Sequence, residues 1–232
     1  SALQSHSKSI MDDISEDVFN SLASLKVKNV YKKGQTIFYE GNKPYGVYWL
    51  KSGKVKLYKT NNEGKTFIVN IAGEGDLLGY RYFFTQEMYS TTAEVIEDAT
   101  VCFLDKDSFL DLLRIYPALT MELLDLMGHE IQNSENTAAR MAYDSTHERI
   151  AGMILDLKET YGVKYDGNNN DVPSWKIDVL LTRNDLASLA GTTTETIVRV
   201  MSLLKEKNIV KTENKFMCIT DLKALERLIP EH

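Results

Sequence analysis

The sequence predicts an α+β protein: an antiparallel β-roll, then a long helix, then a winged helix-turn-helix domain. Three observations predict it. Short alternating apolar runs separated by glycines fill the stretch from about residue 35 to 105. A helical period takes over at Asp105. Two helices joined through a glycine turn then read from residues 182–207. The expected division is 10–115 for the roll, 116–143 for the long helix and 144–232 for the carboxy-terminal domain.

A chain of 232 residues has room for one large or two modest domains. With 43% hydrophobic and 26% charged residues, it has the composition of a folded globular protein rather than a disordered one. The formal charge of −6 argues against a protein that coats nucleic acid indiscriminately. A positive island lies inside it, because residues 182–215 carry six bases against four acids. Cys102 and Cys218 lie far apart and match no disulfide or metal spacing, which suits a reducing cytoplasm. No apolar run approaches the ~20 residues of a membrane span, and no signal-peptide core opens the chain. Neither a membrane nor a bound cofactor is expected.

The strand-like runs are QTIFYE, GVYWLKSG, KVKLYKT, TFIVNIAG and TVCFLD, with glycines recurring between them at 34, 41, 53, 64, 73, 75 and 79. Many short strands with glycine turns imply an antiparallel sandwich or barrel rather than a parallel sheet. NNEG at 61–64, between two alternating runs, reads as a hairpin turn. A helical stretch around SEDVFNSLASL is expected to cover one end.

Asp105 and Asp107 are cap candidates for a short helix through Arg114. Pro117 can open a second helix running to about Tyr143, since proline is tolerated at a first helical position. Along it Leu124, Met127, Ile131, Ser134, Ala138 and Met141 fall at steps of three and four. That spacing is a coiled-coil seam and favours a parallel homodimer. The other reading is a helix packed on its own domain.

Ser145 followed three residues later by Glu148 is a capping box for a helix reaching about Tyr161. GVKYDGNNNDVPS at 162–174 reads as a polar loop, and WKIDV as a short strand. In TRNDLASLAGTTTETIVRVMSLLKEK, Thr182 caps a first helix with Asp185 at its third position. Leu186 and Leu189 point inward, and Ala187 and Ala190 allow a second helix to cross closely. Gly191 makes the turn, and Thr192 or Thr193 caps the next helix. Its buried face is Ile197, Val200, Met201 and Leu204, leaving Thr193, Thr194, Glu195, Arg199 and Ser202 outside.

This is the pattern of a helix-turn-helix whose second helix enters the major groove. Arginine can donate two hydrogen bonds to guanine, and glutamate can accept from the cytosine amino group. Glu195 and Arg199 are four apart and share one face. Thr194, Glu195 and Arg199 are therefore the candidate base contacts. Thr182, Arg183 and Thr193 are candidate backbone contacts. So are Lys211 and Lys215 in a two-stranded wing, IVKTENKFMCIT, turning around Glu213-Asn214.

The chain resembles the cyclic-AMP receptor / fumarate-nitrate regulator (CRP/FNR) family of bacterial transcription factors from about Phe19 to Leu228. The resemblance rests on KGQTIFYEGNKPYGVYWLKSGKVKLY, GEGDLLGYRYFF, the long helix and LTRNDLASLAGTTTETIVRVMSLLKEKNIV. It implies a cyclic-nucleotide-binding-like jelly roll that senses an effector, a dimerising long helix and a winged domain that reads a palindrome. Double-stranded DNA, a second copy of the chain and RNA polymerase are the implied partners. The family's recognition stretch falls on Thr194, Glu195, Thr196, Ile197, Val198 and Arg199, with Thr194 replacing the arginine of the cyclic-AMP type.

The effector stays open. Cyclic-nucleotide binders of the family hold ribose and phosphate with a Gly-Glu-Leu stretch and a later Arg-Ser or Arg-Thr. Here the matching residues are Gly79-Tyr80-Arg81 and then Tyr89, Ser90 and Thr91, with no arginine in the second segment. A buried phosphate without its countercharge is costly. Arg81 sits where the family has an apolar residue and is expected to be exposed. Ser134 matches a hydroxyl of the cyclic-AMP type on the long helix. Two cysteines cannot supply an iron–sulfur sensor, and His129 is an isolated helical histidine. Tyr80, Tyr82, Phe83, Phe84 and Tyr89 form an aromatic cluster that is either core or the lining of an apolar site. An effector-independent regulator is equally open.

An enzyme is not expected. A metal-dependent barrel oxidase would need histidines, and residues 30–105 contain none. No nucleophile–base pair or phosphate loop is present. The alternative function is a cyclic-nucleotide-binding module acting through protein contacts.

Overall fold

The structure, a computed structural model, describes residues 27–85, 87–165 and 174–229. The helical stretch expected around SEDVFNSLASL lies outside the described residues. Contacts divide the chain into two units inside one helix, after Ile131.

The first unit is an antiparallel roll. Its strands are β1 (Val27–Tyr31), β2 (Thr36–Phe38), β3 (Gly46–Thr60), β4 (Thr66–Ala72), β5 (Leu77–Leu78) and β6 (Thr92–Asp105). The order is β1-β6-β3-β4, with β2 on β6 and β5 on β3. Strands β3 and β6 pair from Gly46↔Asp105 to Tyr58↔Thr92. The two expected runs GVYWLKSG and KVKLYKT are thus one 15-residue strand. Register shifts between Leu50 and Val55 bend it without ending it. Gly53 sits at the bend with φ +90, its Cα close against the Asp98–Ala99 backbone, where a side chain would collide. Beyond the bend, Val55 and Leu57 point inward. Lys54 and Lys56 point outward to Glu97 and Glu94, at 2.7 and 3.1 Å across the pair. The hairpin at NNEG forms as expected: the Asn61 carboxamide oxygen accepts from the Glu63 and Lys65 amides.

Two apolar clusters hold this unit. Inside the roll, Leu50, Val55, Val95 and Val101 are fully buried with Phe38, Tyr82 and Tyr89. Each aliphatic side chain so buried contributes about 1.5–3 kcal/mol. The second cluster joins Val47 and Leu104 to Phe83 of α1 (Tyr82–Thr85), Phe109 and Leu112 of α2 (Lys106–Ile115), and Leu119 and Leu123 of α3 (Pro117–Tyr143). Asp105 caps α2 by accepting from the Ser108 amide, and Pro117 opens α3 as its fixed φ favours.

The second unit is built on α4 (Thr146–Tyr161), opened by the Ser145–Glu148 capping box. Ile150, Ile154 and Leu157 are fully buried with Ile177, Ile197, Ile219 and Leu225. The Arg140 guanidinium, in the last turn of α3, donates to Asp156 at 2.5 Å. A four-stranded antiparallel sheet follows the order β7 (Gly162–Tyr165), β8 (Ser174–Ile177), β10 (Phe216–Ile219), β9 (Val210–Glu213). Residues 162–165, expected as loop, are strand β7: Val163↔Lys176 and its neighbours extend the sheet. Helices α5 (Arg183–Leu189), α6 (Thr194–Glu206) and α7 (Leu222–Glu226) complete the unit.

Candidate nucleic-acid interface

Local chemistry fixes the helix pair. Thr182 caps α5, its hydroxyl accepting from the Asp185 amide at 3.1 Å while Asp185 accepts from the Thr182 amide at 2.9 Å. Asp185, Ala187 and Ala190 are buried, so the two helices cross over small side chains. Gly191 takes φ +59, the left-handed turn that favours glycine. Thr193 caps α6, accepting from the Thr196 amide at 3.2 Å. Ile197, Val200 and Leu204 are buried, while Met201 and Leu189 are half-buried, less deep than expected.

The opposite side of α6 carries the candidate base contacts. Thr194, Glu195, Arg199 and Ser202 are exposed. Among the described residues, neither Glu195 nor Arg199 makes an ion pair, although they stand one turn apart. Of the backbone candidates, Thr182, Arg183 and Thr193 are exposed at the openings of α5 and α6. Strands β9 and β10 form the wing. Its turn is Asn214-Lys215, both at positive φ (48 and 73), one residue later than the Glu213-Asn214 expected from sequence. Two successive left-handed residues match the right-handed twist of the hairpin. Lys215 stands exposed at that tip, whereas Lys211 is half-buried and bonds Glu213 at 2.9 Å.

One residue that the sequence did not announce ties this unit together. The Arg149 side chain donates to the carbonyls of Ala190 (3.2 Å) and Asp144 (3.0 Å). An arginine in the first turn of a helix looks like any solvated charge, and only the tertiary fold brings the turn before α6 to it.

The expected effector residues separate into two groups. Tyr89 is buried in the roll, stacked on Phe38 with centroids 4.0 Å apart and edge-on to Tyr82. Its hydroxyl donates to the Gly46 carbonyl, and Gly79 lies against its ring. Ser90 shares a hydrogen bond with the Tyr82 hydroxyl at 2.8 Å, and Thr91 is buried. Tyr80 and Arg81 instead face Glu130 of α3. Arg81 is not freely exposed as expected; its side chain is half-covered, 3.6 Å from the Glu130 carboxylate. Burial first, and then Glu130, raise the Tyr80 phenol above its ordinary value. Beside them Asp76 accepts from the Gly73 amide at 2.8 Å. Burial, reinforced by Glu130 and opposed by that amide, pushes its carboxyl up to about 6. Ser134 is exposed on α3. In the seam, Leu124, Ile131, Ala138 and Met141 are exposed and Met127 is half-buried.

Two family models match. The cyclic nucleotide-binding domain covers residues 28–116, and the Crp-like helix-turn-helix domain covers residues 148–228. A fumarate and nitrate reduction regulatory protein of Yersinia pestis is 26% identical over 201 residues, spanning 87% of this chain and 78% of its own length. A cyclic AMP receptor protein of Thermus thermophilus is 25% identical over 185 residues, 79% of each chain.

The chain belongs to the CRP/FNR family.

The solved structure of FixK2 from Bradyrhizobium japonicum shares its fold. The TM-score is 0.75 at 20% identity, covering 89% of this chain and 98% of that one. The protein is a CRP/FNR-type transcription regulator whose helix-turn-helix is α5–α6. Among the described residues no group of three histidine, cysteine or carboxylate side chains gathers as metal ligands. No described helix is long and apolar enough to cross a membrane.

Proposed function

We propose that the protein acts in the cytoplasm as a homodimer reading a palindromic operator, with RNA polymerase as its protein partner. The carrying observation is the outward face of α6. An exposed carboxylate and an exposed guanidinium stand one turn apart, unpaired among the described residues, on a helix otherwise buried along one side. Glu195 then accepts from a cytosine amino group and Arg199 donates to a guanine. Thr194 contacts the neighbouring base, while Thr182, Arg183, Thr193, Lys211 and Lys215 meet the backbone. The exposed seam Leu124, Met127, Ile131, Ala138 and Met141 supports the dimer, since such a stripe on one helix gains burial against a copy of itself.

The roll is proposed not to take a cyclic nucleotide through Gly79, Tyr80, Arg81, Tyr89, Ser90, Thr91 and Ser134. Residues 87–92 offer no cation to a phosphate, and Tyr89 stacked on Phe38 lies in the interior beside Gly79. Selection of binding sites from random duplexes tests the DNA reading. The expected result is an inverted repeat containing G·C pairs, with half-site centres about 34 Å apart. Selection yielding only single half-sites, or no enriched sequence, would overturn it.

A further inference from the structure

A cleft of about 240 Å³ opens between α6 and the wing. Leu181, Val198, Met201 and Met217, all half-buried, line its apolar floor. Arg183, Lys205 and Lys215 stand exposed around it, with the hydroxyl-bearing Ser202 and Thr212. Among the described residues no carboxylate lines it, although acids outnumber bases in the chain, 33 to 27. An apolar floor beneath a rim whose described charges are all cationic suits a ligand with two parts: a body that leaves water and a head carrying negative charge. DNA satisfies only the second requirement. Sugars and phosphates would meet the rim and leave the apolar floor without an apolar partner.

We propose that this cleft binds a small amphiphilic carboxylate, an apolar chain or ring with one anionic head, and that its occupancy competes with DNA. The body lies over Val198, Met201 and Met217. The head meets Lys205 and Arg183, where a guanidinium can hold a carboxylate with two hydrogen bonds. Competition follows from position. Arg183 is a proposed backbone contact, and a carboxylate held on it and Lys205 cancels charge that a phosphate would meet. Only this competition rests on the DNA reading of the previous section; the site itself does not.

Octanoate is the probe, with octanol as the headless control and acetate as the tailless one. Amide shifts and calorimetry on the full chain read the binding. Octanoate should shift amides of α6 and the wing saturably, with octanol and acetate weaker by about tenfold or more. Lys205→Gln, at an exposed position, should leave the melting temperature unchanged and weaken octanoate by about fivefold or more. Adding octanoate should release a selected operator. The proposal is overturned if octanoate moves no amides there, if octanol binds as tightly, or if Lys205→Gln leaves its affinity unchanged. It is also overturned if saturating octanoate leaves a bound operator in place. Operator binding without octanoate is measured in the same titration, so a failure of the DNA reading is seen separately from a failure of the site.

Discussion

The Arg149 guanidinium donates to the Ala190 carbonyl at 3.2 Å across 41 residues of chain, and its other arm holds the Asp144 carbonyl at 3.0 Å. One side chain therefore fixes the turn before α6 against the segment between α3 and α4. Removing it leaves part-buried carbonyls without a charged donor. Arg149→Ala should cost about 1.5–3 kcal/mol of stability, the range for hydrogen bonds to charged groups. It should also broaden the half-site spacing accepted in selection, which a loss of stability alone would not do. Arg149→Lys should recover little, because an ammonium lacks the planar fork that reaches two carbonyls. Denaturant melts and spacing-variant operators check both statements.

Asp76 behaves in the opposite sense to a salt-bridged carboxylate. Its pKa is raised from 3.8 to about 6, so the folded chain takes up the proton more readily than the unfolded one. The group's ionisation therefore destabilises the fold as pH rises from about 4 to 6, and the full cost is present at neutrality. Asp76→Asn keeps an oxygen that can accept from Gly73 and removes the charge facing Glu130. It should stabilise the protein by about 3 kcal/mol at pH 7.5 and by only about 1 kcal/mol at pH 4.5. Chemical denaturation of both proteins at the two pH values measures the difference. An equal gain at both would contradict the burial argument.

Much of this was legible because it is local. The capping boxes at Ser145–Glu148 and Thr182–Asp185, the NNEG hairpin and the outward face of α6 each depend on residues a few positions apart. What failed was long-range. GVYWLKSG and KVKLYKT looked like two strands because Gly53 reads as a turn. The ladder to β6 carries the strand through a bend that glycine permits. Residues 162–165 looked like loop because their strand character comes from pairing with β8 rather than from composition. Arg149, the Asp76–Glu130 neighbourhood and the Arg140–Asp156 pair carry no sequence signal at all, since each joins elements distant in the chain.

Arg199 and Lys215 should separate specificity from affinity. Arg199→Ala removes two donors to a base edge and should cost about 1–3 kcal/mol per half-site. The loss should concentrate on operators with guanine at one position, so the selected motif flattens there. A uniform loss across all sequences would mean that Arg199 meets phosphate instead. Quantitative binding to single-substitution operators distinguishes the two.

Lys215 offers a test in which stability and function move in opposite directions. It occupies the second left-handed position of the wing turn at φ 73, where an L-residue with a side chain is strained by about 1–2 kcal/mol and glycine is not. Hairpin stability alone would not select a lysine there, which supports its proposed phosphate contact. Lys215→Gly should raise stability by roughly 0.5–1 kcal/mol, part of the relieved strain being offset by the freer unfolded chain. The same variant should weaken binding to all duplexes alike and lower the slope of log affinity against log salt by about one. Lys211→Ala removes a side chain already bonded to Glu213 and should change that slope less. If Lys215→Gly stabilised the wing while the salt slope stayed the same, the tip would not touch the duplex, and the backbone contact would have to be sought at Arg183.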